Sequence, residues 1–158
     1  MNRSMDQLQQ QLRALRLSET AEYLPHLIQQ AESGNWTYKA FLSCLVAYEQ
    51  RCREQKQVER RMKWATFPFY KKLDDFHLEE QRSLTQKQLN QLKEFTWLDQ
   101  LYNLILLGPP GVGKTHLATG LGIEAIQQGY KVSFISMGEL VHTLKTEEFT
   151  RKSQIRMK

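Results

Sequence analysis

Two cysteines, four prolines and eight glycines are all that 158 residues hold of the types that staple, stiffen or loosen a chain. Cys44 and Cys52 fall eight apart in a stretch of helical period, which sets their Cα atoms about 12 Å apart at 1.5 Å per residue. No disulfide closes over that distance, and two reduced thiols are the expectation. His26, His77, His116 and His142 are scattered and show no metal-ligand spacing. No apolar run approaches the ~20 residues that cross a bilayer, and no N-terminal segment resembles a signal peptide, so a cytoplasmic protein is expected. Repeats and low-complexity tracts are absent too. Hydrophobic content of 41% and charged content of 25% are ordinary for a globular protein and exclude disorder throughout. The length suits one domain, or a small helical domain with part of a second.

The scarce glycines are not spread evenly. Gly108-Pro109-Pro110-Gly111-Val112-Gly113-Lys114-Thr115 matches the phosphate-loop pattern G-x-x-x-x-G-K-[ST] at every position. Before it, Asn103 to Leu107 is a short apolar run that reads as a buried parallel strand. After it, His116 to Gln128 carries Leu117, Leu121, Ala125 and Ile126 at helical spacing, with Gly129 as a C-terminal stop. A triphosphate needs many donors close together, and a Cβ pointing inward would hold the backbone away from its oxygens. Gly111 and Gly113 remove that obstacle. Backbone N–H groups and the positive end of the following helix then face the phosphates. Lys114 supplies a point charge to the β- and γ-phosphates, Thr115 a hydroxyl for Mg2+, and Pro109 and Pro110 stiffen the loop.

The formal charge of +5 is uneven. Arg51, Arg53, Lys56, Arg60, Arg61 and Lys63 lie in a thirteen-residue stretch against only Glu54 and Glu59. Such a stretch can track nucleic-acid phosphates. It can equally be a solvated helix face, since Glu49 precedes Arg53 and Glu59 precedes Lys63 by four, the favourable order for pairing.

Along the chain, Leu8, Leu12 and Leu15 mark a first helix, and Leu24, Leu27, Ile28 and Ala31 a second, perturbed by Pro25. Thr37 caps a long helix whose stripe of Phe41, Leu45, Tyr48 and Cys52 reads as core; past Arg53 it turns polar and exposed. From Trp64 to Asp75 an aromatic connector without helical period follows, its rings available either to stack on an adenine or to pack beneath the core. Thr85 caps a short helix. Lys131 to Ser136 alternates as a second strand, and Ser136 with Glu139 forms a capping box opening a last helix. Gly120 and Gly122, inside the helix after the loop, point to close packing on a neighbour. The resulting organisation is a helical region over 1–64, a connector with a short helix over 65–101, and the first part of a nucleotide-binding domain over 102–158.

Leu106-Leu-Gly-Pro-Pro-Gly-Val-Gly-Lys-Thr-His-Leu-Ala118, followed by Leu121-Gly-Ile-Glu-Ala-Ile-Gln-Gln-Gly-Tyr130, resembles the IstB family of insertion-sequence helper ATPases. The connector Ala65 to Phe76, the basic helix before it and Leu12-Arg-Ala-Leu-Arg-Leu17 follow the family's N-terminal pattern. The resemblance implies an α/β fold: an AAA+-like P-loop NTPase core related to the DnaC helicase loaders, here incomplete, behind an all-α N-terminal region. It implies ATP on Gly108, Pro109, Pro110, Gly111, Val112, Gly113, Lys114, Thr115 and the adjoining His116, with Mg2+ on Thr115. It also implies oligomers on double-stranded DNA, a partner transposase, and DNA contact by the Arg51 to Lys63 stretch.

The match has gaps. No acidic motif, polar sensor or arginine finger follows the loop; Glu147-Glu148 is preceded by Thr-Leu-Lys-Thr and not by an apolar strand. Little or no hydrolysis by this chain alone is therefore expected. The family's sheet also sets other strands between the two found here, which leaves their edges unpaired. A truncated copy is the expectation. A DnaC-like helicase loader and a non-enzymatic interaction fragment are the alternatives.

Overall fold

The computed structural model describes residues 2–78 and 84–146. Glu147-Glu148 lies outside the described residues. Two compact units divide the chain, Met1–Glu59 and Arg60–Lys158, with the boundary inside a helix.

In the first unit α1 (Asn2–Ala14) packs along α2 (Ser18–Ser33). The buried face of α2 is Thr20, Ala21, Leu24 and Leu27. Each large aliphatic side chain fully buried contributes about 1.5–3 kcal/mol. Pro25 sits inside α2, where its missing N–H strands the carbonyl four residues earlier. That carbonyl, of Ala21, accepts a 2.8 Å hydrogen bond from the Gln9 amide of α1, so the helix continues through the proline. Leu15, counted in the first stripe, lies past the end of α1 and is 70% exposed.

Helix α3 (Tyr38–Ala65) opens on Thr37, whose hydroxyl accepts from the Ala40 N–H at 3.2 Å. Its stripe of Phe41, Leu45, Tyr48 and Cys52 is half-buried, and Tyr48 stacks on Tyr23 of α2 with centroids 4.1 Å apart. These residues are packing, as their spacing implies. Cys44 and Cys52 are free.

The second unit is built around α6 (Lys114–Gln127), against which a 3-10 turn η1 (Leu73–Asp75) and α4 (Gln86–Lys93) pack, with α5 (Thr96–Asp99) beside α4. Leu73, Leu89, Phe95, Leu117, Leu121 and Ala125 form one buried cluster. Gly129, at φ +100°, stops α6, and the Tyr130 N–H turns back to the Ala125 carbonyl at 2.9 Å. The expected capping box of Ser136 with Glu139 forms on α7 (Met137–Lys145), and Thr85 caps α4, where Gln88 completes a second box. Glu139 is thereby a capping residue.

The two glycines inside α6 mark where the connector lies along it. A Cβ on Gly120 would stand 2.6 Å from Leu73 Cδ2, and one on Gly122 would stand 2.7 Å from Phe67 Cε1. Phe67 also meets Phe134, and Phe76 meets His116 edge-on. These connector rings pack on α6 and its neighbours. Tyr70 remains 61% exposed.

The expected α/β core is not what the chain forms: no strand occurs among the described residues, and all regular structure there is helical. The physical reason is missing partners. A strand exists through a ladder to a neighbour, and residues 103–107 and 131–136 carry no regular structure and share no backbone hydrogen bond with each other. The Phe134 N–H is taken by the Ala65 carbonyl at the end of α3, at 2.7 Å. Residues 131–134 do alternate between exposed and half-buried, so the periodicity reports burial correctly and pairing wrongly. Residues 103–107, expected to be buried, leave Ile105 74% and Leu107 88% exposed.

Candidate functional site

The glycine loop leads straight into α6, with Gly113 as the residue before its first turn. Gly111 and Gly113 both adopt φ +83° and Gly108 φ +155°, conformations that a side chain makes costly. An added Cβ on Gly111 would meet nothing within 4 Å, so space is open beside the backbone there. On Gly108 it would reach Val112 Cγ2 at 3.3 Å, which closes the base of the loop.

Lys114 returns over this loop. Its Nζ donates to the Gly108 carbonyl at 2.8 Å and to the Pro109 carbonyl at 2.6 Å. An ammonium has three protons, so two fix its position and one is left for a further acceptor. Thr115 is exposed on the first turn of α6, where unsatisfied N–H groups and the helix dipole favour an anion. These groups fit a polyphosphate with its divalent cation: charge, bared amides and a hydroxyl within one turn. His116, the next residue on that turn, faces the connector. Its Nε2 is 2.9 Å from the Lys72 carbonyl, and its ring meets Phe76 edge-on at 5.3 Å.

A separate groove of about 510 Å³ runs between α4, α5 and the segment before the loop, lined by Leu84, Leu92, Trp97, Leu104, Leu106 and Leu117 among others. None of residues 108–116 lines it. Among the described residues no cluster of His, Cys, Asp or Glu is arranged to hold a metal, and no helix is long and apolar enough to cross a membrane.

The six basic residues all lie on α3, Arg61 half-buried and the rest exposed. They are not equivalent. Arg53 pairs with Glu49 at 2.7 Å, the pair expected from spacing, and also donates to the Arg16 carbonyl. Lys56 pairs with Glu19 of α2, and that hydrogen bond holds its ammonium above the ordinary lysine pKa. Glu59 accepts from Gln55, and no Glu59–Lys63 pair forms among the described residues. Arg51, Arg60, Arg61 and Lys63 have no ion-pair partner there. Burial pushes the Glu49 carboxyl up, but hydrogen bonds from Thr20 and Arg53 outweigh it and hold the group below the usual carboxylate value. Nothing in the sequence signalled Glu19, Arg16 or Lys72 as partners, because each lies far away in the chain.

The family described as IstB-like ATP binding protein matches residues 10–158. A Bacteroides fragilis protein named for ATP binding in an IS21-like insertion sequence is 35% identical over 96% of this chain and 76% of its own length. A Pseudomonas aeruginosa protein named likewise for IS21 is 34% identical over 89% of this chain and 53% of its own length. One from Bacillus thuringiensis, named for IS232, is 32% identical over the whole chain and 63% of its own length. The chain thus spans from about half to three quarters of these relatives. It belongs to the family of IstB-like ATP-binding proteins of insertion sequences.

Proposed function

We propose that this chain holds ATP with Mg2+ on residues 108–115 and serves DNA transposition as an ATP-binding accessory protein. In this reading it works with double-stranded DNA, a partner transposase and further copies of itself. The observation that carries the nucleotide part is the placement of Lys114: two carbonyls of its own loop orient the ammonium and leave one proton for a phosphate oxygen. Thr115, one residue on, supplies the hydroxyl for the cation. Bound ATP would bring its own charge and the bond to be broken. The residues here bind and orient it, and no carboxylate is assigned to activate water.

The DNA part is supported by Arg51, Arg60, Arg61 and Lys63, whose charges are not spent on ion pairs among the described residues. Arg53 and Lys56 contribute less, being held by Glu49 and Glu19. Titration of wild type and Lys114→Ala with Mg2+–ATP tests the reading. Loss of a charge-assisted hydrogen bond of about 1.5–3 kcal/mol predicts affinity at least tenfold weaker in the variant. Equal affinities would remove the loop from the account.

A further inference from the structure

The connector approaches α6 at its first turn through a hydrogen bond and one turn later through packing. His116 Nε2 lies 2.9 Å from the Lys72 carbonyl, and a carbonyl only accepts, so Nε2 carries the proton and donates. The Phe76 ring meets the imidazole edge-on at 81°. Leu73, the next connector residue, fills the notch at Gly120. His116 also adjoins Thr115, the residue whose hydroxyl is assigned to the cation.

We propose that His116 is a positioning residue of the nucleotide site: its bond to the Lys72 carbonyl ties the first turn of α6 to the connector and thereby holds the Thr115 hydroxyl where Mg2+ needs it. This rests on the reading of the loop given above. His116 touches neither nucleotide nor cation in this role. Coupling of this kind is reciprocal. A turn fixed by the connector binds Mg2+–ATP more tightly, and bound Mg2+–ATP holds the connector more firmly. The worth of one net hydrogen bond sets the size of the effect at about fivefold.

The test is ATP binding to wild type, Lys114→Ala, His116→Leu and His116→Gln, with Mg2+ titrated from an EDTA baseline. In His116→Leu the Mg2+ concentration for half-maximal effect should rise about fivefold while affinity in EDTA stays within twofold of wild type. His116→Gln, whose amide reaches the same carbonyl, should restore the wild-type value. An unchanged Mg2+ requirement in His116→Leu, an equal loss with and without Mg2+, or failure of the glutamine to rescue would each overturn the proposal. A wild type whose ATP binding ignores Lys114 would instead overturn the loop reading beneath it. Hydrogen exchange on the wild type alone covers variants that do not fold: Mg2+–ATP should slow amide exchange across residues 70–76, and bound nucleotide without that protection would refute the coupling.

Discussion

Alanine at Gly120 tests the fit of the connector along α6. A Cβ built there lies 2.6 Å from Leu73 Cδ2, 2.8 Å from Leu73 Cγ and 3.2 Å from Leu73 N. Leu73 is 4% exposed, so its side chain has no solvent to swing into, and its main chain is fixed in η1. Overfilling such a site costs about 1–3 kcal/mol. Replacing a mid-helix glycine by alanine contributes about 1 kcal/mol in the opposite direction. The net expectation is a loss of about 0–2 kcal/mol. In a Leu73→Ala background, which itself costs about 2–5 kcal/mol, the side-chain obstacle is gone, the main-chain N at 3.2 Å stays, and the helix preference remains. Gly120→Ala should therefore cost less there than in the wild-type background, with about 1 kcal/mol of stabilisation as the upper bound. Urea unfolding of the four proteins, followed by circular dichroism and tryptophan fluorescence, gives the cycle, with an interaction energy of about 1–3 kcal/mol. Additive single effects would show that Gly120 and Leu73 do not meet.

Other consequences follow from particular contacts. Glu49 titrates below its ordinary value of 4.5, so its contribution is fully present above that pH and is lost as pH falls through its folded value. Glu49→Gln should be less stable than wild type at pH 7, with the gap in thermal midpoint closing as the pH falls below 4.5; a gap independent of pH would contradict the Thr20 and Arg53 contacts. Gln9→Leu removes the donor to the Ala21 carbonyl beside Pro25 and should cost about 1–3 kcal/mol in denaturant unfolding, while the same change in a Pro25→Ala background should cost less. For duplex DNA, neutralising Arg60 and Lys63 together should lower the slope of log affinity against log salt by about 2, and neutralising Arg53 and Lys56 by less. Equal changes from the two pairs would show that the ion pairs with Glu49 and Glu19 do not withhold charge.

What was legible in the sequence was local. Thr37, Thr85 and Ser136 announced their helices because a cap is made within four residues, and Gly129 announced the end of α6 for the same reason. The glycines of the loop were legible because φ is a property of one residue. The strands were not, because a strand is completed by a distant neighbour that alternation in residues 131–136 does not specify, and here the Phe134 N–H went to the last turn of α3. Long-range partners were hidden likewise: Gln9 for the carbonyl freed by Pro25, Glu19 for Lys56, and Lys72 for His116. Gly120 and Gly122 signalled a close neighbour without naming it. The aromatic connector left two readings open, and contacts of Phe67 and Phe76 favour packing.

The central claim is that bared amides and one ammonium of residues 108–115 receive the phosphates of ATP. Amide resonances of the 15N-labelled protein, followed while Mg2+–ATP is added, locate the ligand directly. The account predicts the largest shifts at Gly111, Gly113, Lys114 and Thr115, with none of comparable size in Lys114→Ala. Large shifts confined to the groove beside α4, with those four amides unmoved, would contradict it.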